Sequence, residues 1–180
     1  MLPNATFMEA VQKAGRIDIV VRTMEDERRD AGIGQAMQGD PMAFGLHADL
    51  SGIWVALAYE VVRVLRQRKL MPPSQSARAL MDALEAVRVP LMKHEIQREK
   101  GLKAPLSMAR VGLGGDATSD VYTYDPKDDQ RAHIMPSGVT PRGSLSWLTL
   151  DHRSGNQQWM ERRYLSDLML SVSWRSPADV

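Results

Sequence analysis

LHADLSGIWVALAYEVVRVLRQRK, residues 46–69, decides the fold. Leu46, Leu50, Ile53, Leu57, Val61 and Val64 recur at spacings of three and four, the period of one face of an α-helix. Trp54, Ala58, Val62 and Leu65 widen that stripe, which predicts a largely buried helix. Asp40-Pro41 ahead of it is a helix-start signal, because the carboxylate can accept an orphan N–H and proline fits the first turn. Arg63, Arg66, Arg68 and Lys69 close the stretch, where cations suit the negative end of the helix dipole. Pro72-Pro73 then break the chain, and Ser74 or Ser76 caps a second helix with the stripe Leu80, Leu84, Val87 and Leu91. Two long antiparallel helices joined by a short proline turn follow.

Upstream, Thr6 and Glu9 have capping-box spacing and start a helix that runs to about Arg29, ended by Gly32 and Gly34. Glu25, Asp26, Glu27, Arg28 and Arg29 read as a solvated face of it. Downstream, the helical period disappears from Gly101 to Gly143, leaving loops around short extended pieces at Val121–Tyr124 and His133–Met135. SLSWLTL, residues 144–150, is the best strand, and after a turn a final helix is expected over Gln157–Val172. The expected fold is mainly α, a helical bundle of three to four helices with a small β-hairpin or sheet before the last helix. Residues 1–100 would form the bundle core, and residues 101–180 a loop-rich hairpin plus a C-terminal helix packed on the same domain.

The 180 residues fit one domain, and the 43% hydrophobic and 25% charged fractions are those of an ordinary globular chain. A formal charge of +1 argues against a nucleic-acid field over the whole surface, so any basic patch must be local. The absence of cysteine excludes disulfides, thiolate zinc sites and a cysteine nucleophile. No signal-peptide pattern opens the chain, and the most apolar window, Ile53–Leu65, is too short for a membrane span and contains Glu60 and Arg63. A cytoplasmic protein without membrane association is expected. Gly112-Leu-Gly-Gly115 lacks the Lys-Ser/Thr of a phosphate loop, and Asp125, Asp128 and Asp129 lack the glycine and glutamate of a calcium loop. His133 and His152 flank the strand region without an evident third ligand, so neither cofactor nor metal is expected.

The stretch most suggestive of chemistry is LEAVRVPLMKHEIQREK, residues 84–100. On an ideal helix Leu80, Leu84, Val87 and Leu91 fall within roughly 60° of one another, with Arg88 and Glu95 on one flank, His94 on the other and Lys93 pointing away. Pro90 removes a backbone hydrogen bond and predicts a kink. Charges facing a partner helix are costly unless paired. Either Arg88 clamps a phosphate or transition state and His94 is a general acid or base, or Arg88 pairs with Glu60 or Glu95 and His94 is a satisfied, half-buried histidine.

Arg88-Val-Pro-Leu-Met-Lys-His94, preceded by a long helix carrying Trp54, Tyr59-Glu60 and Arg63, resembles the HEPN domains, helical ribonucleases and RNA-binding modules of bacterial toxin and defence systems. The resemblance covers about Leu46–Lys100. It departs from the family where Val89 and Pro90 follow the arginine, a place usually held by a polar residue. It implies metal-independent RNA cleavage through 2′-hydroxyl attack, with Arg88 and His94 supplied by each subunit of a dimer and Glu60, Lys93 and Glu95 in support. Arg63, Arg66, Arg68 and Lys69 form the best basic patch, which would lie near the helix turn rather than beside His94, with Arg63 and Arg66 as its RNA contacts. Arg162 and Arg163, near Trp147, Trp159 and Trp174, either hold RNA by phosphate contact and stacking or stand solvated or paired to Asp167. The ionic end of the Leu80–Leu91 stripe predicts a homodimer, with RNA or another protein as further partner. The alternative function is a non-catalytic helical interaction subunit.

Overall fold

In the computed structural model, which describes residues 5–32, 40–102, 104–110, 120–151, 155–172 and 174, four helices and five strands follow the expected order. Helix α1 spans Ala5–Ala31, and Gly32, with φ +79°, ends it in the left-handed conformation. Thr6 lies inside α1 rather than at its cap. Helix α2 spans Pro41–Gln67, with the Asp40 carboxylate accepting from the Met42 N–H at 2.9 Å. Helix α3 spans Gln75–Lys93, and the Ser74 hydroxyl accepts from the Ala77 N–H at 3.2 Å. The Arg28 guanidinium lies over the Phe44 ring and that of Arg68 over Phe7, so α1 and α2 run antiparallel.

The core-facing side of α2 is the flank that widens the predicted stripe, Trp54, Ala58 and Val62 with Val61, rather than its centre. His47, Ser51, Trp54, Val55, Ala58, Val61 and Val62 are buried, whereas Leu46 and Ile53 are 55% and 45% exposed. Trp54, Ala58 and Val62 meet Leu80, Leu84 and Val87 of α3 in the main core, completed by Leu145, Trp147, Met160 and Leu165. These contacts cover one side of α2 and leave the other open.

Helix α3 continues past Pro90, itself buried, and stops at Lys93. His94 takes the left-handed conformation (φ 56°), so the helical wheel ceases to apply before His94 and Glu95. Past the short 3-10 turn Glu99–Gly101, strands β1 (Leu106–Arg110) and β2 (Asp120–Tyr124) pair antiparallel. With Ile96 and Leu150, Met108 and Tyr124 form a second, smaller core. Strands β3 (Ser137–Val139), β4 (Leu145–Leu150) and β5 (Gln157–Glu161) make an antiparallel sheet in that order.

Two local expectations are corrected. His133–Met135 is not a strand: Pro136 follows with no N–H, and the His133 N–H bonds instead to the His94 carbonyl at 2.7 Å. Residues 157–161 extend rather than coil, because Met160 turns into the core opposite Trp147 while Trp159 stays half exposed. The last helix, α4, is therefore shorter, Arg162–Ser171. None of the described helices is long and apolar enough to cross a membrane.

Candidate functional site

The predicted pair divides between two environments. On the edge between α2 and α3, the Arg63 Nε donates to Glu60 at 2.7 Å, and Arg88 Nη2 lies 3.6 Å from the other Glu60 oxygen, an ion pair longer than a hydrogen bond. The Arg88 guanidinium sits 4.8 Å from the Tyr59 ring centroid, and its buried Nε has no partner. His94 is exposed at the end of α3, its backbone N–H closing the helix on the Pro90 carbonyl. Lys93 is exposed and Glu95 half-buried beyond the last turn. Glu60, Arg63 and Arg88 are thus brought together, whereas His94 makes no contact with them among the described interactions. Arg66 stands apart, in a cleft of about 460 Å³ with Arg78 and Arg98.

Arg162 and Arg163 belong elsewhere. Arg162 has no exposed surface: Nε and Nη2 each donate to Glu25 at 2.6 Å, and Nη1 donates to Asp18 at 2.5 Å. Its guanidinium also lies 5.1 Å from the Trp54 ring. It presents no face to a phosphate. Glu25, equally buried, accepts from the Ser144 hydroxyl at 2.7 Å and from Arg163 at 3.2 Å, correcting its reading as part of a solvated face. Arg163 reaches Asp26 as well, while Arg22 ties Asp18 to Asp167. Gly143 makes this approach feasible: at φ +75°, a Cβ there would stand 2.1 Å from the Glu25 carbonyl oxygen. The ionic cluster joins α1 to the β4 start and to α4. It was readable in principle, because Ala14, Val21 and Glu25 share one stripe of α1.

His47 borders that cluster on the inner face of α2. Its Nδ1 bonds to Arg28, and burial, with the Arg28 cation beside it, pushes its pKa down to about 4. The ring is therefore neutral at pH 7, with Nδ1 as acceptor and Nε2 carrying the proton. Nε2 and the Ser51 hydroxyl are both buried without a hydrogen-bond partner. His133 is also pushed down to about 4 by burial, and its Nδ1 meets the Tyr122 hydroxyl at 2.5 Å. His152 and Gly112 to Gly115 lie outside the described residues. Among the described residues no three His, Asp or Glu gather as a metal site.

The outer face of α2 completes the description. Met42, Leu46 and Ile53 are 81%, 55% and 45% exposed, and Leu50 and Leu57 are half-buried between them. Positions 42, 46, 50, 53 and 57 lie within roughly 80° on a helix, and position 60 falls on the same face. The open apolar stripe leads into Glu60 and, through it, into Arg63 and Arg88.

The chain matches no known family model, no curated protein and no solved structure.

Proposed function

We propose that two copies of this chain join along the outer face of α2, and that the charged edge at its end acts on RNA in the metal-independent manner of the HEPN-like proteins that residues 46–100 resemble. The observation that carries this reading is the continuity of the exposed stripe Met42, Leu46, Ile53 with the Glu60, Arg63 and Arg88 cluster. Exposed contiguous apolar surface on a folded protein commonly marks an association site. From residue 42 to residue 64 a helix extends roughly 33 Å, a length suited to an interface of about 800 Å² per partner. Pairing along this line sets the Arg88 edge of each copy beside the seam, so that a composite site can form there. His94 is exposed, within reach of solvent and substrate. The biological setting that goes with this reading is a cytoplasmic bacterial toxin or defence system.

A second reading rests on Arg88 itself, held by Glu60 and by the Tyr59 ring as a structural arginine would be. In it, the dimer is a non-catalytic interaction subunit. Incubation with mixed RNA in the presence of a chelator separates the two. The ribonuclease reading expects cleavage by the wild type, its loss in His94→Ala at an unchanged urea midpoint, and no further loss when Arg88→Ala is added, since residues of one catalytic unit are not additive. Wild-type protein inert on RNA, yet dimeric, leaves the interaction subunit.

A further inference from the structure

We infer that the outer edge of β5 takes up an extended, uncharged peptide segment of another protein, which adds a further strand to the β3-β4-β5 sheet. Two hydrogen bonds fix which backbone groups of β5 point outward. The Asp151 N–H donates to the Asn156 carbonyl at 2.9 Å, and in the β4–β5 register this turns the N–H and C=O of Gln158 and Met160 toward β4. The Leu148 N–H donates to the Pro136 carbonyl at 2.9 Å, on the β3 side of β4, which gives the same parity. Trp159, opposite Leu148, therefore turns its N–H and C=O away from β4. The N–H and C=O of Gln157 and the N–H of Glu161 point the same way. Among the described residues no partner meets these groups.

Space for a strand lies along this edge. A cleft of about 600 Å³ is lined by Gln158, Trp159, Met160 and Glu161. Successive strand residues face opposite sides of a sheet, so a cleft that touches all of them runs along the edge and not over one face. The Trp159 ring itself lies across β4 against Gly138, clear of the edge. Ala79, Ala83 and Ala86 of α3 form the facing wall at helical spacing, and their short side chains leave room for a backbone. The carboxylates of the walls are engaged: Asp82 by Arg98, Glu161 by Thr140 and Arg142, and Asp151 likewise has a partner. The ligand that matches is a peptide backbone with small, uncharged side chains toward α3. Strand addition of this kind takes its affinity from main-chain bonds and its specificity from alternate side chains. At about 3.3 Å per residue, the edge from Gln157 to Glu161 accepts a segment of roughly five residues. Pairing with β5 of a second copy would set the α3 helices of both copies against one seam, whereas a single extended segment needs only the cleft.

The isotope-labelled full chain is titrated with blocked peptides that alternate serine with valine or serine with alanine, and amide hydrogen exchange is read residue by residue. Without peptide, the amides of Gln157, Trp159 and Glu161 should exchange at least about tenfold faster than those of Gln158 and Met160, which β4 holds. Saturating peptide should slow the first set by about tenfold or more and leave the second set as it was. Glu161→Pro removes one outward N–H at a place where φ is −84°, close to proline's own, and a helix begins. It should weaken peptide binding about fivefold relative to Glu161→Ala, which loses the same carboxylate but keeps the N–H. Should Glu161→Pro unfold, the exchange pattern of the wild type still decides. No saturation by either peptide overturns the proposal, as does slowing that fails to distinguish the two sets, or a folded Glu161→Pro that binds as tightly as Glu161→Ala. Protection of the outward amides that grows with protein concentration alone also overturns it and assigns the edge to a second copy. Because the edge lies apart from α2, a monomeric variant should bind the peptides equally well, which keeps this test separate from that of the proposed function.

Discussion

Helix α2 carries its polar and apolar residues on unexpected sides. Its inner face buries His47 and Ser51 beside Trp54, Ala58 and Val62, while its outer face leaves Met42, Leu46 and Ile53 in solvent. Arg28 bonds the imidazole Nδ1 and Glu25 balances the buried cation of Arg162, while His47 Nε2 and the Ser51 hydroxyl stay buried without a partner. Exposure of the apolar stripe has no such local compensation among the described residues. The inner face is packed within the chain, whereas the outer face is the surface that, in the function proposed above, a second copy would cover.

The inner face should break most severely where its charge balance fails. Glu25→Ala leaves Arg162 fully buried without its bidentate partner, and urea unfolding should show a loss of about 3–5 kcal/mol. Replacing both residues by apolar ones of similar volume, as in Glu25→Leu/Arg162→Met, should recover much of that loss, because the desolvation of both charges is removed together. A double variant as unstable as Glu25→Ala would mean that Asp18, Arg163 and Ser144, left behind by the pair, cost as much as an unpaired Arg162.

Acid should weaken the inner face next. The unfolded imidazole binds its proton near pH 6.5, whereas burial and the neighbouring Arg28 hold folded His47 near 4, with Arg162 opposing and Glu25 favouring its charge. The stability contributed by neutral His47 is thus fully present above pH 6.5 and is lost as the pH falls toward 4, up to about 3 kcal/mol. Buried His133 behaves in the same sense. Urea midpoints between pH 7 and 4.5 should fall, and His47→Gln should flatten the slope; an unchanged slope would remove His47 as its source.

Smaller again is the expected effect at the edge joining the two faces. Arg88→Ala loses an exposed-side ion pair at 3.6 Å and one ring contact, so unfolding should shift by no more than about 1 kcal/mol. A loss near that of Glu25→Ala would make Arg88 a core residue rather than part of a surface edge.

The helical frame was legible because start and stop signals are local. Asp40-Pro41 and Ser74 cap α2 and α3 where their side chains predict, and the β4 strand stands where β-favouring residues cluster. Which side of α2 faces inward was not legible. Two overlapping stripes satisfy the same period, and only the position of α1, α3 and the sheet chooses between them. His94 misled because a left-handed cap has no local marker here, glycine being absent. Strand β5 depends on pairing with β4, a partner distant from any helix signal. Arg162 read as surface because its compensating carboxylate, Glu25, lies 137 residues away.

Sedimentation velocity on the wild type and on Ile53→Lys tests the central claim most directly. Ile53 is 45% exposed, so a lysine there should alter the urea midpoint little, within about 0.5 kcal/mol. At micromolar concentration the wild type should sediment at twice the 20.1 kDa chain mass and Ile53→Lys at the mass of one chain. A monomeric wild type, or an Ile53→Lys dimer indistinguishable from it, contradicts the outer face of α2 as the seam.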